Sequence, residues 1–225
     1  MNKYSVFKRI DAFNIFNQFV DGYEDKKILD FGGNRGNLLW YSKGKILEEN
    51  YTCLDISKSA LNELLEDHPN AGVVYWNRYH EAYNPHGNKN ENFPKLNQFD
   101  IAFANSVFTH HELNEMLYCI AQLCHVSKQV CFTYIDPSNQ KIFDILQSKY
   151  AIDISNIEEI QNKKLSYITS KDKVMWTAID TEYLKESIKR YSNYDLYIEH
   201  GLTDGFNYMK VNVNHRTLIP GIFGY

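Results

Sequence analysis

The sequence predicts an α/β fold: a mixed seven-stranded sheet, mostly parallel, with helices on both faces and a C-terminal antiparallel hairpin. Three observations carry this prediction. Short runs rich in β-formers alternate with segments of helical period between residues 26 and 136. A glycine-rich turn, Asp30-Phe31-Gly32-Gly33-Asn34-Arg35-Gly36, follows the first of those runs. Beyond residue 181 the pattern changes to one helix and two strand-like runs joined by Gly-Leu-Thr-Asp-Gly-Phe-Asn.

The elements follow in order. Residues 4–22 place Phe7, Ile10, Phe13, Phe16 and Phe19 or Val20 at helical spacing, so an amphipathic helix is expected within 1–22. The first strand spans about 26–31, and the helix after it opens near Gly36. A second strand over 51–55 leads into a helix with Ser57 as its N-cap. The third strand runs from Gly72 to Trp76, and the fourth from Phe99 to Ala104. The next helix starts at His110-His111 and buries Leu113, Met116, Leu117, Ile120 and Leu123 on one face. The fifth strand covers 129–134, a helix covers 181–191, and the hairpin strands lie near 195–200 and 208–213. With no internal repeat and no low-complexity linker, residues 1–225 read as one domain. Two connections, 80–98 and 137–175, are longer than ordinary loops, and the second is expected to contain its own helix. Both leave strand C-terminal ends, where open α/β sheets bind ligands, so both are candidate substrate caps.

Composition narrows the partners. A formal net charge of −4 gives no global basic field, so nucleic acid is not an expected partner. No apolar run reaches the ~20 residues that span a bilayer, so no membrane partner is expected. The start of the chain has no signal-peptide architecture. Four cysteines lie mainly in apolar segments without metal-ligand spacing, as expected of reduced core thiols in a cytoplasmic protein. Oligomeric state is left open.

The functional signal is the glycine turn. A strand, a tight turn and a helix start bring a ligand close to backbone N–H groups. Asp30 and Asp55 bracket that turn, which favours a cationic, ribose-bearing cofactor over a bare phosphate. A nicotinamide-type G-x-G-x-x-G would need glycine where Asn34 and Asn37 stand.

The motif resembles that of the class I S-adenosylmethionine-dependent methyltransferases, whose pattern is D/E-x-G-x-G-x-G, with Asn34 replacing the middle glycine here. Asparagine tolerates positive φ better than other non-glycine residues, so the turn remains possible. The resemblance implies a Rossmann-like fold with S-adenosylmethionine as cofactor. It implies that Asp30, Gly32, Asn34 and Gly36 meet the cofactor and that Asp55 takes the ribose hydroxyls. It also puts Trp76 and Asn77 near the adenine, and Asn105 on the methionine side, within a strand-four segment running from Phe99 to His110. Arg35 either reaches the cofactor carboxylate or points into water, and Met175-Trp176-Thr177 resembles the return from cap to sheet.

For the chemistry, a hydroxyl or ammonium acceptor must lose a proton, and histidine has the suitable pKa. His110 and His111 are the catalytic candidates, with His110 favoured. Adjacent histidines do not readily share one ion and no third ligand is suitably spaced, so no metal site is expected. Arg78, His80, Tyr83 and Trp176 are candidate substrate-binding residues, for a carboxylate or a phenol. The expected function is methylation of a small molecule or short peptide, on oxygen rather than nitrogen. Exocyclic base amines are disfavoured, because Ala104-Asn105-Ser106-Val107 stands where an Asn-Pro-Pro-Tyr or Asp-Pro-Pro-Tyr segment would be needed. Two alternatives stay open: a degenerate binding module, and an enzyme using the same cofactor for a reaction other than methylation.

Overall fold

A computed structural model describes residues 12–141, 144, 158–160, 164–169, 174–192, 194–202 and 206–215. The central sheet has seven strands in the order β3-β2-β1-β4-β5-β10-β9. These are β1 (Ile28–Phe31), β2 (Tyr51–Asp55), β3 (Gly72–Tyr75), β4 (Phe99–Ala104), β5 (Ser127–Tyr134), β9 (Asp195–Leu202) and β10 (Asn207–His215). The first five pair in parallel, and β10 pairs antiparallel to both β5 and β9. A second, three-stranded antiparallel sheet holds β6 (Glu158–Ile160), β7 (Leu165–Thr169) and β8 (Met175–Ile179).

Side-chain alternation along the strands separates two cores. Ile28, Cys53, Ile101, Phe103 and Cys131 point to the side covered by α1 (Ala12–Phe19), α2 (Asn37–Ser42) and α3 (Lys58–Asp67). Leu29, Phe31, Leu54, Ala102, Val130 and Phe132 point to the other side, under α4 (Leu113–Val126) and α5 (Thr181–Tyr191). In α1 the buried residues are Ala12, Phe13, Phe16 and Phe19, and Phe16 stands edge-on to Phe103 of β4. Ser57 caps α3 by accepting from the Ala60 N–H, as the sequence predicts. All four cysteines are buried free thiols.

Several expectations are corrected. His110 and His111 do not start α4: a one-turn 3-10 helix over Phe108–His110 comes first, and α4 opens only at Leu113. Trp76 lies one residue beyond β3. The connection 137–175 carries strands β6 and β7, and β8 starts at its last residue. The helix expected in that connection falls on residues mostly outside those described, as do Phe7 and Ile10 of the N-terminal helix. No described helix is long and apolar enough to cross a membrane.

Candidate active site

The chain leaves β1 through a turn with three left-handed residues, Gly32 (φ 70°), Asn34 (φ 54°) and Gly36 (φ 70°). Gly33 is indispensable for a different reason: a Cβ there would lie 2.4 Å from Asp30 Oδ2. Asparagine therefore occupies a left-handed position while the sterically closed position keeps its glycine. The Asn34 N–H donates to Asp55 Oδ2 at 2.8 Å, and the Ser57 N–H donates to Asp55 Oδ1 at 2.7 Å. Asp55 thus links the turn after β1 to the start of α3. Burial raises its pKa, against the opposing pull of the Ser57 and Asn34 N–H groups.

Asp30 lies under the turn. Its Oδ2 accepts the Tyr51 hydroxyl at 2.6 Å, and burial pushes the carboxyl up to about 7. Tyr51 lowers that value and the nearby Asp55 charge raises it, but desolvation dominates. Cys53 completes the floor with a weak thiol contact of 3.7 Å to the Asn34 carbonyl. Tyr51, Cys53, Gly33 and Ser57 were not singled out as site residues from the sequence; the β-strand period, which puts alternate residues of β2 on Asp30's side, was the available signal.

The segment after β4 forms the facing wall. Ser106 is left-handed (φ 57°), its N–H donates to Thr133 Oγ1 at 2.7 Å, and Thr133 Oγ1 donates to Asn105 Oδ1 at 3.4 Å. This bend lays Val107 on the glycine turn: a Cβ on Gly32 would be 2.5 Å from Val107 Cγ2. Trp76, expected beside an adenine, is held by the chain's own residues. It is 3% exposed, packs on Phe31 and Phe93, and donates Nε1–H to the Asn92 carbonyl at 2.9 Å. Asn77 is exposed, and its Oδ1 accepts the Tyr75 hydroxyl at 2.8 Å.

Three imidazoles gather beside this wall. His110 Nδ1 lies 2.9 Å from the Met175 carbonyl and His111 Nδ1 lies 2.9 Å from the Val107 carbonyl. A carbonyl only accepts, so each Nδ1 carries the hydrogen and each Nε2 keeps its lone pair. His80 has the other tautomer: Nδ1 accepts from the Ala82 and Tyr83 N–H groups, and Nε2–H donates to the His110 carbonyl at 3.3 Å. Burial lowers all three pKa values, that of His110 to about 4, so each ring is neutral at pH 7. Ring centroids connect His80 to Tyr83 (4.7 Å), Tyr83 to His110 (5.8 Å) and His110 to Trp176 (4.3 Å).

Arg78 does not present its fork to an acceptor carboxylate. Nε and Nη2 bind the two oxygens of Glu115 at 2.9 and 2.7 Å, and Nη1 donates to the Glu91 carbonyl at 2.9 Å. Arg35 pairs with Glu63 at 2.9 Å. The small sheet is fastened over the imidazoles: the Thr177 hydroxyl donates to the His111 carbonyl at 2.6 Å, and the Leu113 N–H donates to the Tyr167 hydroxyl at 3.0 Å. Among the described residues no group of three or more His, Cys, Asp or Glu is placed to hold a metal ion.

The glycine turn, Asp55 and the segment after β4 meet at the C-terminal ends of β1, β2 and β4. There the strand order reverses direction, as expected of a ligand crevice in an open α/β sheet. Comparison with known proteins agrees with this geometry. A family model described as "Methyltransferase domain" matches residues 29–127. No curated protein matches the sequence. Solved structures of like fold include the PH0226 protein from Pyrococcus horikoshii OT3, at 13% identity and TM-score 0.60, covering 91% of this chain and 88% of that one. Another is the Burkholderia thailandensis 1,6-didemethyltoxoflavin-N1-methyltransferase, solved with its substrate and S-adenosylhomocysteine, at 10% identity and TM-score 0.56, covering 92% and 78%. A third is the glycopeptide N-methyltransferase MtfA with S-adenosylhomocysteine, at 10% identity and TM-score 0.56, covering 90% and 88%. Residues 29–127 are thus similar to a methyltransferase domain, and the sheet order gives the chain the Rossmann-like fold that these solved structures share.

Proposed function

We propose that this chain is an S-adenosylmethionine-dependent methyltransferase acting on a small molecule or short peptide, and on oxygen rather than nitrogen. The carrying observation is the Asp55 carboxylate held against the glycine turn at the point where the strand order reverses. Each Asp55 oxygen accepts one backbone N–H, which leaves a lone pair on each for a ribose hydroxyl. The turn suits close approach of a ligand, because Gly32 presents no side chain toward Val107 of the facing wall and Asn34 accepts the left-handed conformation. Asp30 supports the turn from beneath, and Asn105 belongs to the facing wall. S-adenosylmethionine, when bound, supplies an electrophilic methyl group on a sulfonium.

The chain's own residues then have to align an acceptor and receive its proton. Alignment contributes up to ~7–11 kcal/mol in favourable cases. His110 suits proton acceptance, because Met175 holds the hydrogen on Nδ1 and leaves Nε2 as an acceptor. His111 has the same tautomer and is the second candidate. A hydroxyl acceptor fits neutral imidazoles, whereas a carboxylate acceptor would need the cation that Glu115 occupies. His80, Tyr83 and Trp176 make up the aromatic side of the acceptor site, with the 80–98 and 137–175 connections as caps on one domain. Four buried reduced thiols fit a cytoplasmic location.

Calorimetric titration with S-adenosylmethionine and S-adenosylhomocysteine tests the reading. Micromolar binding is expected, weakened about 10-fold to 100-fold in Asp55→Ala through loss of charge-assisted hydrogen bonds worth about 1.5–3 kcal/mol each. Unchanged affinity in that variant removes the ribose assignment. No binding of either compound by folded protein moves the reading to a cofactor-free binding module.

A further inference from the structure

A second polar site lies on the same edge of the sheet as the glycine turn. A cleft of about 600 Å³ opens at the C-terminal end of β5, between the start of α5 and the β9–β10 strands. Its size falls within the ~300–1,000 Å³ typical of small-molecule sites. Asp136, Asn139, Thr181, His200, Leu202 and Asn207 contribute to its lining. In the strand order, β5 is two places from β1, or roughly 10 Å at ordinary strand spacing.

The hydrogen-bond inventory of the cleft limits what it can hold. Asp136 lies at its base with both oxygens filled. Oδ1 accepts from the Ser138 N–H at 2.8 Å and the Ser138 hydroxyl at 2.6 Å, and Oδ2 accepts from the Thr181 N–H and hydroxyl. Four donors satisfy a carboxylate, so Asp136 gains little from a ligand cation. The Thr181 and Tyr183 N–H groups at the start of α5 are bound by Asp136 and Asp180. No lysine or arginine is among the described lining residues, and His200 faces Glu182 at 4.0 Å, so an anion finds no partner among them either.

Asn207 is the group left with capacity. It is 7% exposed, and its Oδ1 accepts from the Asp136 N–H at 3.1 Å and from Asn139 Nδ2 at 3.2 Å. Its own Nδ2 amide has no acceptor among the described residues. That amide nitrogen meets solvent at the cleft rather than being sealed in the core, so it is free to donate to an oxygen of whatever enters. Asn139 Oδ1 and the Ser138 and Thr181 oxygens offer acceptors nearby. Groups that both donate and accept without charge match this lining, and several must be close together.

We propose that this cleft binds a neutral polyhydroxylated ligand, of carbohydrate type, as the hydroxyl-rich end of the methyl acceptor. The role as part of the acceptor rests on the methyltransferase reading above; the binding chemistry does not. Asn207 Nδ2 donates to a ligand oxygen, and the neighbouring side-chain oxygens accept from ligand hydroxyls.

The test is saturation-transfer NMR on the full chain with methyl α-D-glucopyranoside, using glucuronate and glucosamine as its anionic and cationic counterparts at neutral pH. Saturable transfer to the neutral glucoside is expected, with both charged sugars bound about tenfold more weakly. Asn207→Asp, which keeps Oδ1 and removes the donor, should abolish that transfer. Asn139→Leu provides a second variant in case a carboxylate beside Asp136 disturbs the fold, and both are checked by their thermal transitions. Equal binding of a charged sugar, insensitivity to both variants, or no saturable transfer would overturn the proposal. S-adenosylhomocysteine is titrated separately. Glucoside binding without it leaves the cleft standing and removes the methyltransferase reading, and the reverse result removes only the cleft.

Discussion

Asp30 combines deep burial with a single hydroxyl donor, and its proton follows from that combination. The folded carboxyl titrates near 7, whereas an unfolded aspartate titrates near ~3.9. Between those values the native state holds a proton that the unfolded chain has released, so stability from this group falls as pH rises through the window and levels off above it. Asp30→Asn keeps an oxygen for the Tyr51 hydroxyl and never ionises. Its stability advantage over the parent is expected to widen between pH 5 and pH 8, by on the order of a few kcal/mol. Urea unfolding at the two pH values checks this, and a narrowing gap would mean that Asp30 is ionised in the fold. Single-residue chemistry was partly legible in the sequence. The bracketing acids and the tolerance of Asn34 for a left-handed turn could be read from residue types alone. Whether Asp30 faced the crevice or the underside of the turn could not, because that depends on which side of β1 faces α2. Trp76 was ambiguous for a similar reason: an indole at a strand end suits either a ligand or the core, and its packing on Phe93 could not be read from the sequence.

Pairing between elements explains the correction at Arg78. Its guanidinium crosses from the segment after β3 to Glu115 in the first turn of α4, with both side chains about three-quarters buried (21% and 28% exposed). A bidentate, partly buried pair contributes more than an open surface pair, about 1–2 kcal/mol. Arg78→Gln should therefore lower the thermal midpoint while leaving S-adenosylhomocysteine affinity unchanged. A variant of undiminished stability with an impaired acceptor KM would instead return Arg78 to the substrate site. The strands of the main sheet were legible because each pairs apolar alternation with a turn signal. The small sheet was missed because Leu165-Ser166-Tyr167-Ile168-Thr169, though rich in β-formers, does not alternate strictly, and a strand this short has no sequence mark of its local antiparallel partner. The 3-10 turn was also absorbed into the helix after it, since a single turn is too short to show a period of its own.

On the scale of the whole molecule, the sheet is a wall shared by two cores, so damage at one edge should reach the other. Met209 of β10 is fully buried and pairs with Phe132 of β5, in the core that also holds Leu29 and Ile188. Met209→Asp places an unpaired carboxylate there, at a cost of about several kcal/mol. Tyrosine fluorescence and far-UV circular dichroism should lose structure together in one earlier transition. Separate transitions would show that the hairpin region melts as an independent unit. The strand–helix alternation made the parallel half of this wall readable, and the late hairpin its antiparallel edge. The assignment of helices to faces was not readable, because it depends on contacts between distant segments. Those distances also bear on how quickly the protein acquires its shape. Ile28 meets Ile101 and Thr133 meets Tyr208, residues roughly 70 positions apart in each case. One large loop must close before each contact is rewarded, whereas β1, α2, β2, α3 and β3 are near neighbours in the chain. The glycine turn therefore belongs to the segment suited to form early, and the wall facing it is completed only by the slow arrival of β4.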